Sequence, residues 1–223
     1  MRLEVKYVSL IAVATVVLAG TAACGSSSKK PALTADQVNA QLLTAKDEPE
    51  WSFNAESDQT GTPYTTTSLK SGGSACQQFL DADSTMFGKY GTTDRVTRTF
   101  LQPSGSNMLL DEVAVMPSKA KAAAMVADLT SGLKDCKSFV VTDNDSATMV
   151  TANTGAPAGH VVYTSSSADS TYSTMIITDA VQVGADVVMI TYTGSTTDDP
   201  AKAQQVVTHA AEVQAAHLKA AQG

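Results

Sequence analysis

Apolar residues recur at helical spacing in four stretches of the chain, and each stretch follows a residue that commonly caps a helix. The first begins after Thr34 and has Gln37 three residues later, which is the capping-box pattern. A shorter second stretch follows Ser74 and places Cys76 on its apolar side. These patterns predict two short helices in the first half of the chain.

The third and fourth helical stretches are longer. Ser118 precedes the third, and its apolar stripe continues to Cys136 near the helix end. Asp199 precedes the fourth, with Pro200 in the first turn, where a proline is well tolerated. We expect this last helix to end near Lys219.

Between the helices the pattern changes to period two, with many β-branched residues, which is typical of strands. Short turns join most of these strands, among them 103–106, 143–145 and 184–185, so the strands should pair in antiparallel fashion. Residues 46–73 are less regular and predict either a long loop or an irregular edge strand. The predicted fold is α+β, with a single curved antiparallel sheet of about six strands and helices packed on one face.

The N-terminal 23 residues have the composition of an export signal. Arg2 and Lys6 give a basic start, Val8 to Leu18 form an apolar core, and the residues before Cys24 are small. A helix of about a dozen apolar residues spans only about half of a ~30 Å hydrocarbon core. We therefore predict a signal peptide over residues 1–23, with an uncleaved signal anchor as the alternative.

Cys24 and the residues before it resemble the lipidation site of bacterial lipoproteins, although Thr21 stands where leucine is usual. The resemblance implies that Cys24 becomes the N-terminus and carries acyl chains. Residues 24–33 include the polar run "GSSSKKP", as expected for a flexible tether between a bilayer and a domain. We expect a protein anchored by lipid to the outer face of the cytoplasmic membrane. The alternative is a secreted protein in which Cys24 has no such role.

Charge excludes several classes of partner. The chain has 15 Lys and Arg against 22 Asp and Glu, a formal net charge of −7. Nucleic-acid binding depends on Lys and Arg that neutralise phosphates, so this balance predicts no nucleic-acid partner. It equally argues against a polybasic patch that binds anionic lipids.

Cys76 and Cys136 are the two cysteines that remain after Cys24. An exported protein folds in a compartment where disulfides form, and two cysteines allow one pairing within a chain. Such a bridge would join the second and third predicted helices. The alternative is a pair of reduced, buried thiols.

Catalytic and metal-binding patterns are missing from the sequence. His209 and His217 are eight residues apart on one predicted helix, too far to chelate one metal ion, and His160 has no HExxH motif or cysteine pair nearby. No GxSxG elbow or GxxxxGK[ST] loop is present. Trp51, the single tryptophan, is either a core residue or an exposed contact. We expect no enzymatic activity, no metal and no cofactor.

Four segments carry a second resemblance: "LTADQVNAQLLTAKDEPEW", "SACQQFL", "VAVMPSKAKAAAMVADLTSGLKDC" and "VVMITYTGSTTDDPAKAQQVVTHAAEV". The first resembles the opening of many actinobacterial lipoproteins. Together they are similar to the extracellular sensor domain of a mycobacterial membrane serine/threonine kinase, over most of residues 33–218. That family implies an α+β fold with a cleft between sheet and helices that binds a small extracellular ligand. Its sensor domain has two disulfides, whereas this chain can form one.

The resulting hypothesis is a sensor-like domain over residues 34–219 that binds a small molecule or a cell-envelope fragment. Tyr163, Tyr172 and Tyr192 are the strand-region aromatic residues available to line its cleft. The alternative is an envelope-scaffold lipoprotein that binds another protein and no small ligand. A buried apolar pocket would favour the first hypothesis, and a flat exposed apolar patch would favour the second.

Overall fold

A computed structural model describes residues 32–61, 68–83, 87–141, 146–168 and 173–223. The predicted signal peptide, Cys24, the tether up to residue 31, the 143–145 turn and Tyr172 all lie outside the described residues. Five helices are described: α1 (Ala35–Asn39), α2 (Gly73–Asp83), α3 (Phe87–Tyr90), α4 (Lys119–Asp135) and α5 (Pro200–Gln222).

The strands form one antiparallel sheet in the order β1-β3-β4-β9-β8-β7-β6-β5-β2. Their bounds are β1 (Ser52–Gly61), β2 (Leu69–Ser71), β3 (Asp94–Leu101), β4 (Met108–Val115), β5 (Ser138–Val141), β6 (Thr148–Ala152), β7 (His160–Ala168), β8 (Ser173–Val183) and β9 (Asp186–Ser195). The α+β class and the antiparallel sheet are confirmed.

The predicted number of about six strands is wrong, because the described sheet has nine. Both edge strands, β1 and β2, come from the irregular segment 46–73. β1 is almost entirely polar in sequence and β2 has one apolar residue, so neither has the alternating apolar pattern that predicts a strand.

The prediction of helices on one face is also wrong, because helices cover both faces of the sheet. In β9, Val188 and Ile190 belong to the apolar cluster that contains α1 and α5, whereas Val187 and Met189 belong to the cluster that contains α2 and α4. Alternate residues of a strand point to opposite faces, so the two clusters lie on opposite sides of the central strands. A continuous apolar run such as 187–190 is the sequence pattern of a strand buried on both faces.

The helix caps agree closely with the sequence. The Thr34 backbone N–H donates to Gln37 Oε1 at 2.9 Å and the Gln37 N–H donates to Thr34 Oγ1 at 3.3 Å, which completes the capping box. Ser118 and Asp199 cap α4 and α5 as predicted. Two boundaries differ: α2 already includes the predicted cap Ser74, and α5 continues past Lys219 to Gln222.

The predicted disulfide between Cys76 and Cys136 is confirmed, and both residues are 1% exposed. It joins α2 to the C-terminal cap of α4, within the apolar cluster that also contains Phe139 of β5. Among the described residues, no helix has the length and apolarity needed to cross a membrane.

Candidate functional site

A groove of about 410 Å³ lies beyond the end of β6, where the start of β7 has no neighbouring strand on that side. The last residue of β6, Ala152, pairs with Tyr163 of β7, so β7 begins three residues beyond the end of β6. The second half of α4 faces this exposed start of β7 across the gap. We call this cavity the α4 groove; its lining residues are Val126, Thr130, Leu133, Lys134, Ala152, Asn153, Ala156, Gly159, His160, Val161 and Val162.

The helical wall of the α4 groove is one stripe of α4. Val126, Thr130 and Lys134 are each four residues apart, which puts them on the same helix face, and Leu133 borders that face. The Thr130 hydroxyl donates to the Val126 carbonyl at 2.7 Å. This bond satisfies the hydroxyl within the helix, so the wall presents mainly methyl and methylene groups.

The opposite wall is the 153–159 loop, which hydrogen bonds fasten to neighbouring elements. Asn153 donates its side-chain amide to Gln204 of α5 at 3.1 Å, and Gln204 donates back to the Thr154 carbonyl at 3.1 Å. Thr164 of β7 also donates to the Asn153 side chain at 2.9 Å. These hydrogen bonds within the protein hold the loop in place, as in the preformed walls of most small-molecule sites.

His160 is the polar group of the groove with the most defined environment. Its Nδ1 lies 2.9 and 3.0 Å from the two carboxylate oxygens of Asp179, and the side chains of the two residues are 9% and 0% exposed. Burial raises the pKa of Asp179, although the hydrogen bond and the charge of His160 act in the opposite direction. With Asp179 ionised, Nδ1 donates and the ring is held in one orientation.

A histidine oriented by a buried aspartate is two thirds of a nucleophilic triad, but the third member is absent from the residues that line the groove. They include no serine or cysteine, and the Thr130 hydroxyl is bonded within α4. Among the described residues, no group of three His, Cys, Asp or Glu side chains is placed to hold a metal ion. The arrangement can bind and orient a ligand.

The tyrosines expected to line one cleft are not brought together. Tyr192 pairs with Ile177 and Tyr163 pairs with Thr178, and these neighbouring residues of β8 point to opposite faces of the sheet. Tyr163 is 1% exposed and its hydroxyl donates to Asp83. The prediction that Tyr163 and Tyr192 line one cleft is therefore wrong, because their positions in the sheet register place them on different faces.

Tyr192 lies instead beside a smaller cavity of about 180 Å³. Its ring meets Trp51 edge-on at 6.2 Å, and its hydroxyl donates to Asp198 at 2.7 Å. Trp51 is 5% exposed, so it is a core residue and not an exposed contact. Glu50, Asp198, Asp199 and Lys202 make this cavity strongly charged.

A third cavity of about 520 Å³ runs along the outer side of α5 next to Thr154. It is larger than the α4 groove, but most of the residues that line it are polar, among them Gln204, Gln205 and Glu212. Ligand sites in proteins are typically apolar with a few placed polar groups. By that criterion the α4 groove is the better site. The sequence shows the apolar stripe of α4, but no local pattern in it shows where β6 ends.

The site thus lies on an α+β domain with one antiparallel sheet and helices on both faces. The fold is similar to the crystal structure of the extracellular domain of PknH from Mycobacterium tuberculosis, with a TM-score of 0.54 and 16% sequence identity, over 86% of this chain and 97% of that one. The predicted resemblance to the extracellular domain of a mycobacterial kinase is confirmed for the fold. No family model matches the chain, and no curated protein matches it.

Proposed function

We propose that this chain is a lipid-anchored extracytoplasmic domain that binds a small molecule in the α4 groove and has no enzymatic activity. The observation that carries the proposal is the groove itself: about 410 Å³, mostly aliphatic walls and a few fixed polar groups. Its volume falls within the ~300–1,000 Å³ of typical ligand pockets.

Location outside the cytoplasm is supported by two features. The disulfide between Cys76 and Cys136 is typical of proteins that fold in an oxidising compartment. The fold is also that of a domain described as extracellular. Both agree with the export signal predicted for residues 1–23.

Lipid anchoring rests on the sequence around Cys24 and has a direct test. The full chain would be expressed in an actinobacterium and its lipidation followed with an alkyne-labelled palmitate. We expect the wild type to take up label and to remain in the membrane fraction, and Cys24→Ser to be unlabelled and released. Unlabelled wild-type protein would show that the chain is a secreted binding domain and not a lipoprotein.

A scaffold role finds less support from the surface. Among the described residues the large hydrophobic side chains that are exposed are Phe53 and Met149. They lie on β1 and β6, separated by five other strands of the sheet, so they form no continuous patch.

Native mass spectrometry tests binding in the groove. The exported Cys24→Ser protein would be measured under native and denaturing conditions beside two further variants. Thr130→Trp places an indole in the groove from an exposed helix position, and Ser131→Trp places the same side chain on the neighbouring exposed position outside it.

We expect extra native mass that disappears on denaturation, present in the parent and in Ser131→Trp but lost in Thr130→Trp. Because both substitutions add the same side chain at adjacent exposed positions, a difference between them reports on the groove and not on folding. Equal retention by both tryptophan variants would show that the ligand binds elsewhere.

A further inference from the structure

Building on the proposed function, we propose that the α4 groove takes an amphiphile with one aliphatic chain and one anionic head group. The walls would bury the chain, and Lys134 would bind the head.

The charge of the groove is opposite to that of the protein. The chain has a formal net charge of −7, yet the eleven residues that line the groove include Lys134 and no Asp or Glu. The two other cavities described above are each lined by at least one carboxylate. A site with a lysine and no acidic residue favours an anion over a cation or a zwitterion with an exposed ammonium.

Lys134 is available to such an anion. It is exposed in the last turn of α4, and it has no ion pair with any residue in the part of the chain that the structure describes. A lysine stem can lie along an apolar wall while the ammonium reaches the opening. An anionic head at the mouth of the groove would give this ammonium a partner.

His160 does not contact the head group beside Lys134. Its ring binds Asp179, and the sheet register places both side chains on the face covered by α5, opposite the face covered by α4. The head group would therefore meet the Lys134 ammonium alone.

The remaining walls select an aliphatic chain. Val126, Leu133, Ala152, Val161 and Val162 line the groove, and no aromatic residue does. Ring-shaped ligands such as sugars gain much of their contact energy from aromatic faces, which are missing here. Flexible methylene chains need only apolar area, worth about 25 cal/mol per Å² buried.

Titration calorimetry distinguishes the head groups. The exported Cys24→Ser protein would be freed of copurified molecules by urea unfolding and refolding with its disulfide intact. It would then be titrated below micellar concentrations with dodecanoate, dodecanol and dodecyltrimethylammonium, which share one chain and differ in charge. Dodecyl phosphate would separate a carboxylate site from one for any anion.

We expect dodecanoate to bind about tenfold more tightly than dodecanol, as one charge-assisted hydrogen bond implies, and the cationic amphiphile to bind most weakly. Lys134→Gln should remove most of that preference, while Lys137→Gln, an exposed lysine outside the groove, should preserve it. Thr130→Trp should abolish binding of both dodecanoate and dodecanol.

Other results overturn the inference in distinguishable ways. If dodecanoate and dodecanol bound with equal affinity and Thr130→Trp bound neither, the preference for an anionic head group would be refuted. Binding in the α4 groove would still be supported. A preference for the anion that survives Lys134→Gln would refute the role of Lys134. Absence of binding by every amphiphile would refute this ligand class, and the native mass measurement would then decide the proposed function by itself.

Discussion

Gly132 of α4 packs directly against the backbone of Phe79 of α2. A Cβ added to Gly132 would lie 2.7 Å from the Phe79 nitrogen and 2.8 Å from its Cα, closer than side-chain atoms approach a backbone. The two helices therefore touch through main-chain atoms, and this close contact together with the disulfide fixes the position of α4, which forms one wall of the groove.

Replacing Gly132 with alanine should destabilise the domain, although alanine favours a helix by about 1 kcal/mol. The added methyl group must push α2 away, and overpacking of this kind costs about 1–3 kcal/mol. Urea unfolding measures the change. Ser131→Ala, at the exposed neighbouring position, should be neutral or slightly stabilising. Equal stability of Gly132→Ala and wild type would contradict the close helix contact.

The disulfide should contribute a large part of the stability. Cys76 and Cys136 are separated by 60 residues, and closing a loop of that length in the unfolded chain is worth about 4 kcal/mol in the loop-entropy account. The double variant Cys76→Ala/Cys136→Ala should lose roughly this free energy of unfolding in denaturant titrations. A loss below about 1 kcal/mol would mean that the bridge adds little to the packing of α2 on α4.

Tyr163 and Tyr90 provide a matched test of buried hydrogen bonds to carboxylates. Tyr163 donates to Asp83, whose pKa burial raises to about 6. Tyr90 donates to Asp128 at 2.9 Å, but Asp128 also has Lys89 at 2.8 Å and Gln78 at 2.9 Å. Removing the hydroxyl should therefore cost about 2 kcal/mol in Tyr163→Phe and less than about 1 kcal/mol in Tyr90→Phe. Unfolding at about pH 7.5 compares them, and a larger loss in Tyr90→Phe would contradict this ranking.

Asp186 should make stability depend on pH. Burial raises its pKa to about 6 against the hydrogen bond from Gln222, and its Oδ1 is buried without a partner among the described residues. Because the folded-state pKa is raised, the native protein holds this proton between about pH 4 and pH 6. The associated stability is lost as pH rises through 6.

Asp186→Asn removes the charge and should remove this pH dependence. We expect it to stabilise the domain at about pH 7.5 by about 2 kcal/mol more than at about pH 4. Asp135→Asn, an exposed carboxylate at the end of α4, serves as the control. A stability difference between the two variants that stays constant with pH would contradict a raised pKa for Asp186.

Local signals explain what the sequence could predict. The capping residues Thr34, Ser118 and Asp199 act within one helical turn, so their effect is visible in a short stretch of chain. The hairpin turns at 103–106 and 184–185 are local in the same sense. The pairing of Cys76 with Cys136 could be predicted because they are the two cysteines that remain after Cys24.

Tertiary relationships explain what the sequence did not predict. Whether two tyrosines face the same cleft depends on the register of three strands, and a shift of one residue reverses a side chain. The α4 groove exists because β6 ends at Ala152 while β7 starts at His160, and no local pattern gives that offset. The apolar run 187–190 has no polar alternation, which is typical of a strand buried on both faces. Helices on both faces of the sheet could therefore have been predicted from it.

Hydrogen–deuterium exchange of the refolded protein, with and without dodecanoate or dodecanol, tests most directly whether the α4 groove is the binding site. We expect slower exchange confined to residues 126–134 of α4 and to residues 152–162 around the start of β7. Slower exchange along 201–212 of α5, beside the larger polar cavity, would contradict it.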